Sequence, residues 1–121
     1  MSLAWRPLFL LTALSFATAA RAGDGFLTEI EDLPLAKGLV EAAGGVLFDT
    51  ADGRIVEASA AGEVDAAQVR QFYTETLPQR GWKLIGDLTF RRENEVLHVV
   101  IDDKKRTVVV RYSLAPHRND G

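Results

Sequence analysis

Cysteine is missing from the chain altogether, and that absence excludes several chemistries at once. There can be no disulfide framework, no thiolate metal site, no cysteine nucleophile and no lipid anchored on a cysteine. Histidine is scarce: His98 and His117 are the only two, and His117 falls in the polar tail "PHRNDG". Asp102-Asp103 stands before lysines and reads as a charged turn rather than a cation site, so neither a metal nor a cofactor is expected. Beyond residue 22 the only serines are Ser59 and Ser113, and neither sits in a nucleophile-elbow pattern. Gly44-Gly45 precedes a strand pattern, whereas a phosphate-cradling loop would open a helix. Carboxylates are plentiful, yet no spacing joins an acid to a base. The expectation is a protein that is not an enzyme, with no catalytic residues.

No apolar run reaches the roughly 20 residues that span a bilayer as a helix. The longest, "LFLLTALSFATAA" (8–20), follows Arg6 and ends at Ala20-Arg21-Ala22, the pattern of a cleavable export signal over residues 1–22. An uncleaved anchor is the alternative, and there is no twin arginine. The expected product is a soluble periplasmic or secreted protein starting at Gly23, with no stable membrane anchor after cleavage. It would carry twelve basic against seventeen acidic residues, a net charge of −5. That balance argues against nucleic-acid or anionic-membrane binding. About 100 residues make one core and one domain.

Three segments follow: an acidic-apolar arm (23–42), a single α+β domain (43–115) and a mobile polar tail (116–121). In "RQFYTETLPQRGW" (70–82), Val69, Phe72, Tyr73 and Leu77 repeat at helical spacing. Asp65 and Gln68 form a capping box, Val64 can staple onto Val69, and Pro78 with Gly81 ends the helix. Trp82 then opens a strand whose face carries Leu84, Leu88 and Phe90, with a bulge or bend at Gly86. Charge and apolar matching pairs Arg92 with Glu95, Phe90 with Leu97 and Leu88 with Val99. The next hairpin, turning at "DDKKR", pairs Ile101 with Arg106, Val99 with Val108 and Leu97 with Val110. Upstream, a four-residue loop Thr50 to Gly53 pairs Asp49 with Arg54, Phe48 with Ile55 and Leu47 with Val56. A tight Asp-Gly loop is the less well matched alternative.

The predicted architecture is therefore two-layer, one helix on a curved antiparallel five-stranded sheet, β-β-α-β-β-β. If the helix runs back along the sheet, an all-antiparallel arrangement requires the spatial order 2-1-5-4-3, with the helix crossing from edge to edge. Five strands at ~4.8 Å measure about 19 Å between edges, and a 16-residue helix is ~24 Å long. Leu84, Leu88, Phe90, Leu97, Val99, Ile101, Val108, Val110 and Leu114 would form the covered face.

Two candidate sites emerge. On the outer sheet face these registers place Arg91, Val96 and Arg111 in one row and Thr89, His98 and Val109 in the next. Arg91, His98 and Arg111 would then form a patch for a carboxylate, a phosphate or an acidic partner segment. The arm's Phe26, Leu27, Ile30, Leu33, Leu35, Leu39 and Val40 need a home, and folding over the outer face would bring its acids to Arg91 and Arg111. Alternatively the arm docks on an envelope protein partner or exchanges in a homodimer. The second candidate is a pocket between helix and sheet at Phe72, Tyr73 and Trp82, which would hold a small anion or apolar ligand. The competing reading of those aromatics is packing, with the Tyr73 hydroxyl at the rim.

The stretches "FLTEIEDLPL", "GGVLFDTADGRIVEA", "VRQFYTETLPQRGW" and "FRRENEVLHV" resemble a family of small exported proteins of Gram-negative, alphaproteobacterial type. The resemblance covers nearly all of residues 23–121. It implies export and a single domain, and it brings no activity, cofactor or catalytic residue with it. The chain thus reads as a periplasmic accessory or protein-interaction domain, the small-ligand binder being the alternative.

Overall fold

A computed structural model describes residues 25–118. The expected signal segment 1–22 and the end of the polar tail lie outside the described residues. Over the described residues the fold is α+β, with one α-helix on an open antiparallel sheet of seven strands rather than five. The strands are β1 (Val40–Glu41), β2 (Val46–Thr50), β3 (Gly53–Gly62), β4 (Lys83–Gly86), β5 (Thr89–Arg92), β6 (Glu95–Asp102) and β7 (Val108–Pro116). The helix α1 (Ala66–Thr76) joins β3 to β4 through a 3-10 turn, Leu77–Arg80.

The sheet order is β1-β3-β7-β6-β5-β4, with β2 pairing the same side of β3 as β1. This corrects the order 2-1-5-4-3, and the reason is a count of reversals. The expected third strand is two strands: the chain turns back between Gly86 and Thr89, so β4 and β5 are antiparallel neighbours. One more reversal puts β5, not β4, beside β6 and lets β3 pair with β7 instead of lying at the edge. The turn rests on Leu88, a non-glycine residue at φ 44°. Its side chain is buried, and its carbonyl accepts from the Val99 N–H at 2.9 Å. Burial and that bond hold a conformation that L-residues otherwise avoid. With β4 at the edge, Leu84 keeps to the covered side, paired with Phe90, but is left 47% exposed.

Local signals set the helix where expected, although Asp65 caps it alone and Gln68 does not complete the expected box. Asp65 accepts from the Ala67 N–H at 2.9 Å. Val69, Tyr73 and Leu77, four residues apart, are buried, as one face of a 3.6-residue period requires. Pro78 cannot donate the next helical bond, so the last turn tightens to 3-10 and closes on Gly81 at φ 90°.

Two of the three hairpins keep the expected registers. Asp49 pairs Arg54, Phe48 pairs Ile55 and Leu47 pairs Val56; one further pair, Thr50 with Gly53, leaves only Ala51 and Asp52 in the turn. Arg92 pairs Glu95 and Phe90 pairs Leu97. The β6–β7 hairpin differs: Ile101 pairs Val110 and Leu97 pairs Leu114, a shift of four residues from the expected partners. An even shift leaves every side chain on its own face. Val108, Val110, Tyr112 and Leu114 therefore stay buried, Val99 facing Tyr112 instead of Val108.

The arm does not cover the outer face. Leu27, Ile30, Leu33, Leu35, Ala36 and Leu39 are buried in the same cluster as Tyr73, Phe90 and Tyr112, on the helix side. Its backbone folds back on itself, Leu27 N–H to Leu33 O and Leu35 N–H to Gly25 O, and its last residues form β1 against β3. Its polar groups meet inner-face bases: Asp32 pairs with Arg92, and the Glu29 carbonyl accepts from Arg54. A fully buried leucine or isoleucine stabilises by roughly 1.5–3 kcal/mol, so these arm residues are core.

Candidate interaction surface

In antiparallel sheets, directly paired residues share a face. The covered face therefore carries Val56, Leu114, Leu97 and Phe90 in one row and Ala58, Tyr112 and Val99 in the next. The other face carries Ala115, Val96, Arg91 and Lys83, then Val46, Glu57, Ser113, His98 and Thr89, then Ser59, Arg111 and Val100.

Arg91 and His98 lie in adjacent rows on this face, as expected, but Arg111 does not join them. The four-residue shift places Arg111 against Val100, two rows and two strands from Arg91. That is about 14 Å along the strands and about 10 Å across them. The three do not form one anion clamp. Each has local company instead. Arg91 Nε donates to the Glu93 carbonyl at 3.2 Å, and Arg111 Nη2 lies 3.9 Å from Asp102 Oδ2. His98 Nδ1 is 3.3 Å from Thr89 Oγ1. In the same row the Ser113 hydroxyl donates to Glu57 at 2.5 Å. Serine here is bonded to the acid directly, without the imidazole that would activate it.

The aromatic candidates are packed together. Tyr73 and Trp82 are buried, and Phe72 meets Tyr73 edge-on at 5.0 Å between ring centres. The Tyr73 hydroxyl is not at the rim. It lies in the interior, 2.6 Å from the Tyr112 hydroxyl, and donates to the Pro34 carbonyl at 2.9 Å. Burial raises the Tyr73 pKa to about 12 and pushes Tyr112 higher still. Trp82 lies under the Arg92 guanidinium, 4.2 Å from the ring centre. These groups fill the space that a ligand between helix and sheet would occupy.

Among the described residues no three His, Asp or Glu side chains are grouped to hold a metal ion. An open cleft of about 640 Å³ lies at the end of the sheet, between the β2–β3 turn and the end of β7. It is lined by Thr50, Asp52, Asn94 and His117 among others.

The most distinctive surface feature is apolar. On the bare face Phe48 is 58% exposed, Val46 42% and Val100 51%. Ile55, Val96, Val109 and Ala115 lie half-buried among them. Helix and arm are both spent on the opposite face, so nothing in the described chain covers these groups. Every residue of the edge strand β2 is exposed, Leu47 on the covered side included. The sequence placed Val96 and Val109 on this face and β2 in its hairpin, but did not single out Val46 and Phe48 as exposed. The signal in β2 was "VLF", three apolar residues in succession where a strand with one solvated face would alternate.

Compared with protein families, with curated proteins and with solved structures, the chain matches none.

Proposed function

We propose that this chain is a non-enzymatic protein-interaction domain of the periplasm that presents the bare face of its sheet to another protein. The observation that supports it is the distribution of cover. Helix and arm crowd one face, while Val46, Phe48 and Val100 stay exposed on the other. Val46 and Phe48 adjoin Ile55 at the β2 side, and Val100 lies near Val109 beyond the polar row of Glu57, Ser113 and His98. Exposed apolar groups spread over one uncovered face mark a surface that is covered in use. Arg91 and Lys83 at one end of this face and Glu57 towards the other would orient the partner and set its approach. The periplasmic setting rests on the export pattern of residues 1–22, and the non-catalytic reading on the bonding within one row: the Ser113 hydroxyl donates to Glu57, while its cross-strand neighbour His98 faces Thr89. The aromatic interior argues against the small-ligand alternative, because Tyr73 and Trp82 occupy it.

The test is chemical cross-linking in envelope fractions, comparing the exported chain with Val100→Glu and Phe48→Glu variants. Both positions are exposed, so each variant keeps its fold. A cross-linked species lost in both variants supports the reading. Cross-links unchanged by both variants, or no specific cross-link from the parent, would overturn it.

A further inference from the structure

We infer that the outer edge of β2, which no described strand pairs, is a strand-addition site for an extended segment of another protein in which basic residues alternate with apolar ones. The inference rests on the interaction-domain reading and adds where the partner docks and with what chemistry. The two edges of the sheet are built differently. The β4 edge has four residues, a register break between Leu84 and Gly86, and Lys83 at its start. Such short, bulged, lysine-bearing edges block pairing. β2 keeps an unbroken register from Val46 to Thr50 and has no lysine, proline or bulge.

The turn fixes which groups β2 offers. A two-residue connection closes on a pair that exchanges its backbone hydrogen bonds, here Thr50 with Gly53. Bonding then alternates along the strand. Thr50, Phe48 and Val46 turn their N–H and C=O groups to β3, and Leu47 and Asp49 turn theirs outward. An added strand would bond to Leu47 and Asp49, with its side chains extending the rows of Val46 and Phe48 on the bare face and of Leu47 on the other.

Charge decides the partner. Asp49, Asp52, Glu29 and Glu57 surround this edge, Glu57 also accepting from Ser113. Of the nearby bases, Arg54 is engaged by Glu95 at 2.9 Å, and Arg118 lines the cleft beside Thr50 and Asp52 at the turn end alone. Lysines or arginines in the added strand would meet these acids. A second copy fits poorly. Two-fold pairing must keep faces matched, and the register that sets Leu47 against itself and Val46 against Phe48 puts Asp49 opposite Gly45 of the second copy. Glu29 Oε1 lies only 3.3 Å from where a Cβ at Gly45 would stand. Two carboxylates would meet, twice by symmetry. Centring on Phe48 instead sets Asp49 against Leu47.

The test titrates the exported chain with a capped, labelled peptide, Lys-Val-Lys-Ile-Lys-Val, and reads fluorescence anisotropy. Controls replace every Lys by Glu, or N-methylate alternate backbone nitrogens of the Lys peptide. Leu47→Pro removes an outward N–H and leaves the bonds to β3 in place, because Leu47 makes none of them. Asp49→Lys reverses the local charge. The Lys peptide is expected to bind, and N-methylation, Leu47→Pro and Asp49→Lys are each expected to weaken it about tenfold or more. No binding, equal binding of the Glu peptide, or indifference to N-methylation would overturn the inference. So would sedimentation showing a dimer that Leu47→Pro dissolves. If the peptide fails while the Val100→Glu-sensitive cross-link persists, the edge assignment falls and the interaction-domain reading stands.

Discussion

The hydroxyl of Tyr73 is the most connected polar atom in the interior, and removing it should cost more than removing its partner's. It donates to the Pro34 carbonyl at 2.9 Å, so its own hydrogen is committed. The Tyr112 hydroxyl, 2.6 Å away, must then be the donor in their shared bond, and the Ala36 N–H donates at 3.4 Å. Tyr73→Phe leaves three buried groups without this partner: a carbonyl, an amide and a hydroxyl. A buried group left unsatisfied costs about 1–3 kcal/mol, and the long Ala36 bond lies at the weak end, so the expected loss is about 3 kcal/mol. Tyr112→Phe deletes one donor and leaves the Tyr73 hydroxyl with two partners, for about 1 kcal/mol. The double variant removes one of the orphans that Tyr73→Phe creates, so its cost should fall at or below that of Tyr73→Phe alone. A domain of this size is stable by about 5–15 kcal/mol, so all three remain folded and urea midpoints can rank them. Because Pro34 and Ala36 belong to the arm, Tyr73→Phe should also speed protease cleavage near residues 33–37. Equal costs for the two single variants, or a double variant equal to their sum, would refute the network.

The same pair makes alkaline titration informative, since the chain has only two tyrosines and both are buried. Burial raises the Tyr73 pKa to about 12, with Tyr112 above it. Raised pKa values mean stability that is complete below about pH 10 and lost as pH climbs through the folded values. Phenolate absorbance should stay silent near pH 10 while the fold persists; half-ionisation there in folded protein would contradict the assignment. At the acid end, Arg92 holds the Asp32 pKa below its usual value through hydrogen bonding and charge. That contribution is present above about pH 4 and lost as pH falls through the lowered value. Asp32→Asn should therefore cost roughly 1 kcal/mol at neutral pH, the pair being partly exposed, and progressively less as pH falls through the lowered value, measured by urea unfolding. Gly62→Ala would drive a Cβ into the Gly38 carbonyl oxygen and should cost more than about 2 kcal/mol. In Gly86→Ala the Cβ meets only Thr89 at 3.6 Å, so calorimetry should find a shift smaller by several degrees.

What could be read from the residues was local or periodic. Asp65, the Val69–Tyr73–Leu77 spacing, Pro78 and Gly81 each act within a turn of chain, and the helix formed where they say. The β5–β6 register was legible because only one alignment matches Arg92 with Glu95 and Phe90 with Leu97. Gly86 marked the register break that is found there, but the full reversal after it was not legible, because Leu84, Leu88 and Phe90 alternate as one strand would. The residue that takes the left-handed conformation there is a leucine, held by burial rather than by turn chemistry. The arm's need for burial was visible in its leucines, but both sheet faces carried apolar residues, and composition could not choose between them.

The candidate site failed at the one quantity that periodicity cannot see. Val108, Val110, Tyr112 and Leu114 alternate so regularly that every even shift of β7 against β6 buries the same set. Patterning therefore assigned the faces and left the rows undetermined. A patch on a sheet is defined by its rows, and a shift of four residues carries Arg111 about 14 Å along the sheet from the row of Arg91. A surface that depends on exposure alone survives such a shift, because exposure follows the face. Val46 and Phe48 sit in a hairpin whose register is tied by Asp49 and Arg54, while Val100 keeps its face in any even register. For that reason the bare apolar face, and not the arginine cluster, is the feature on which the functional reading rests.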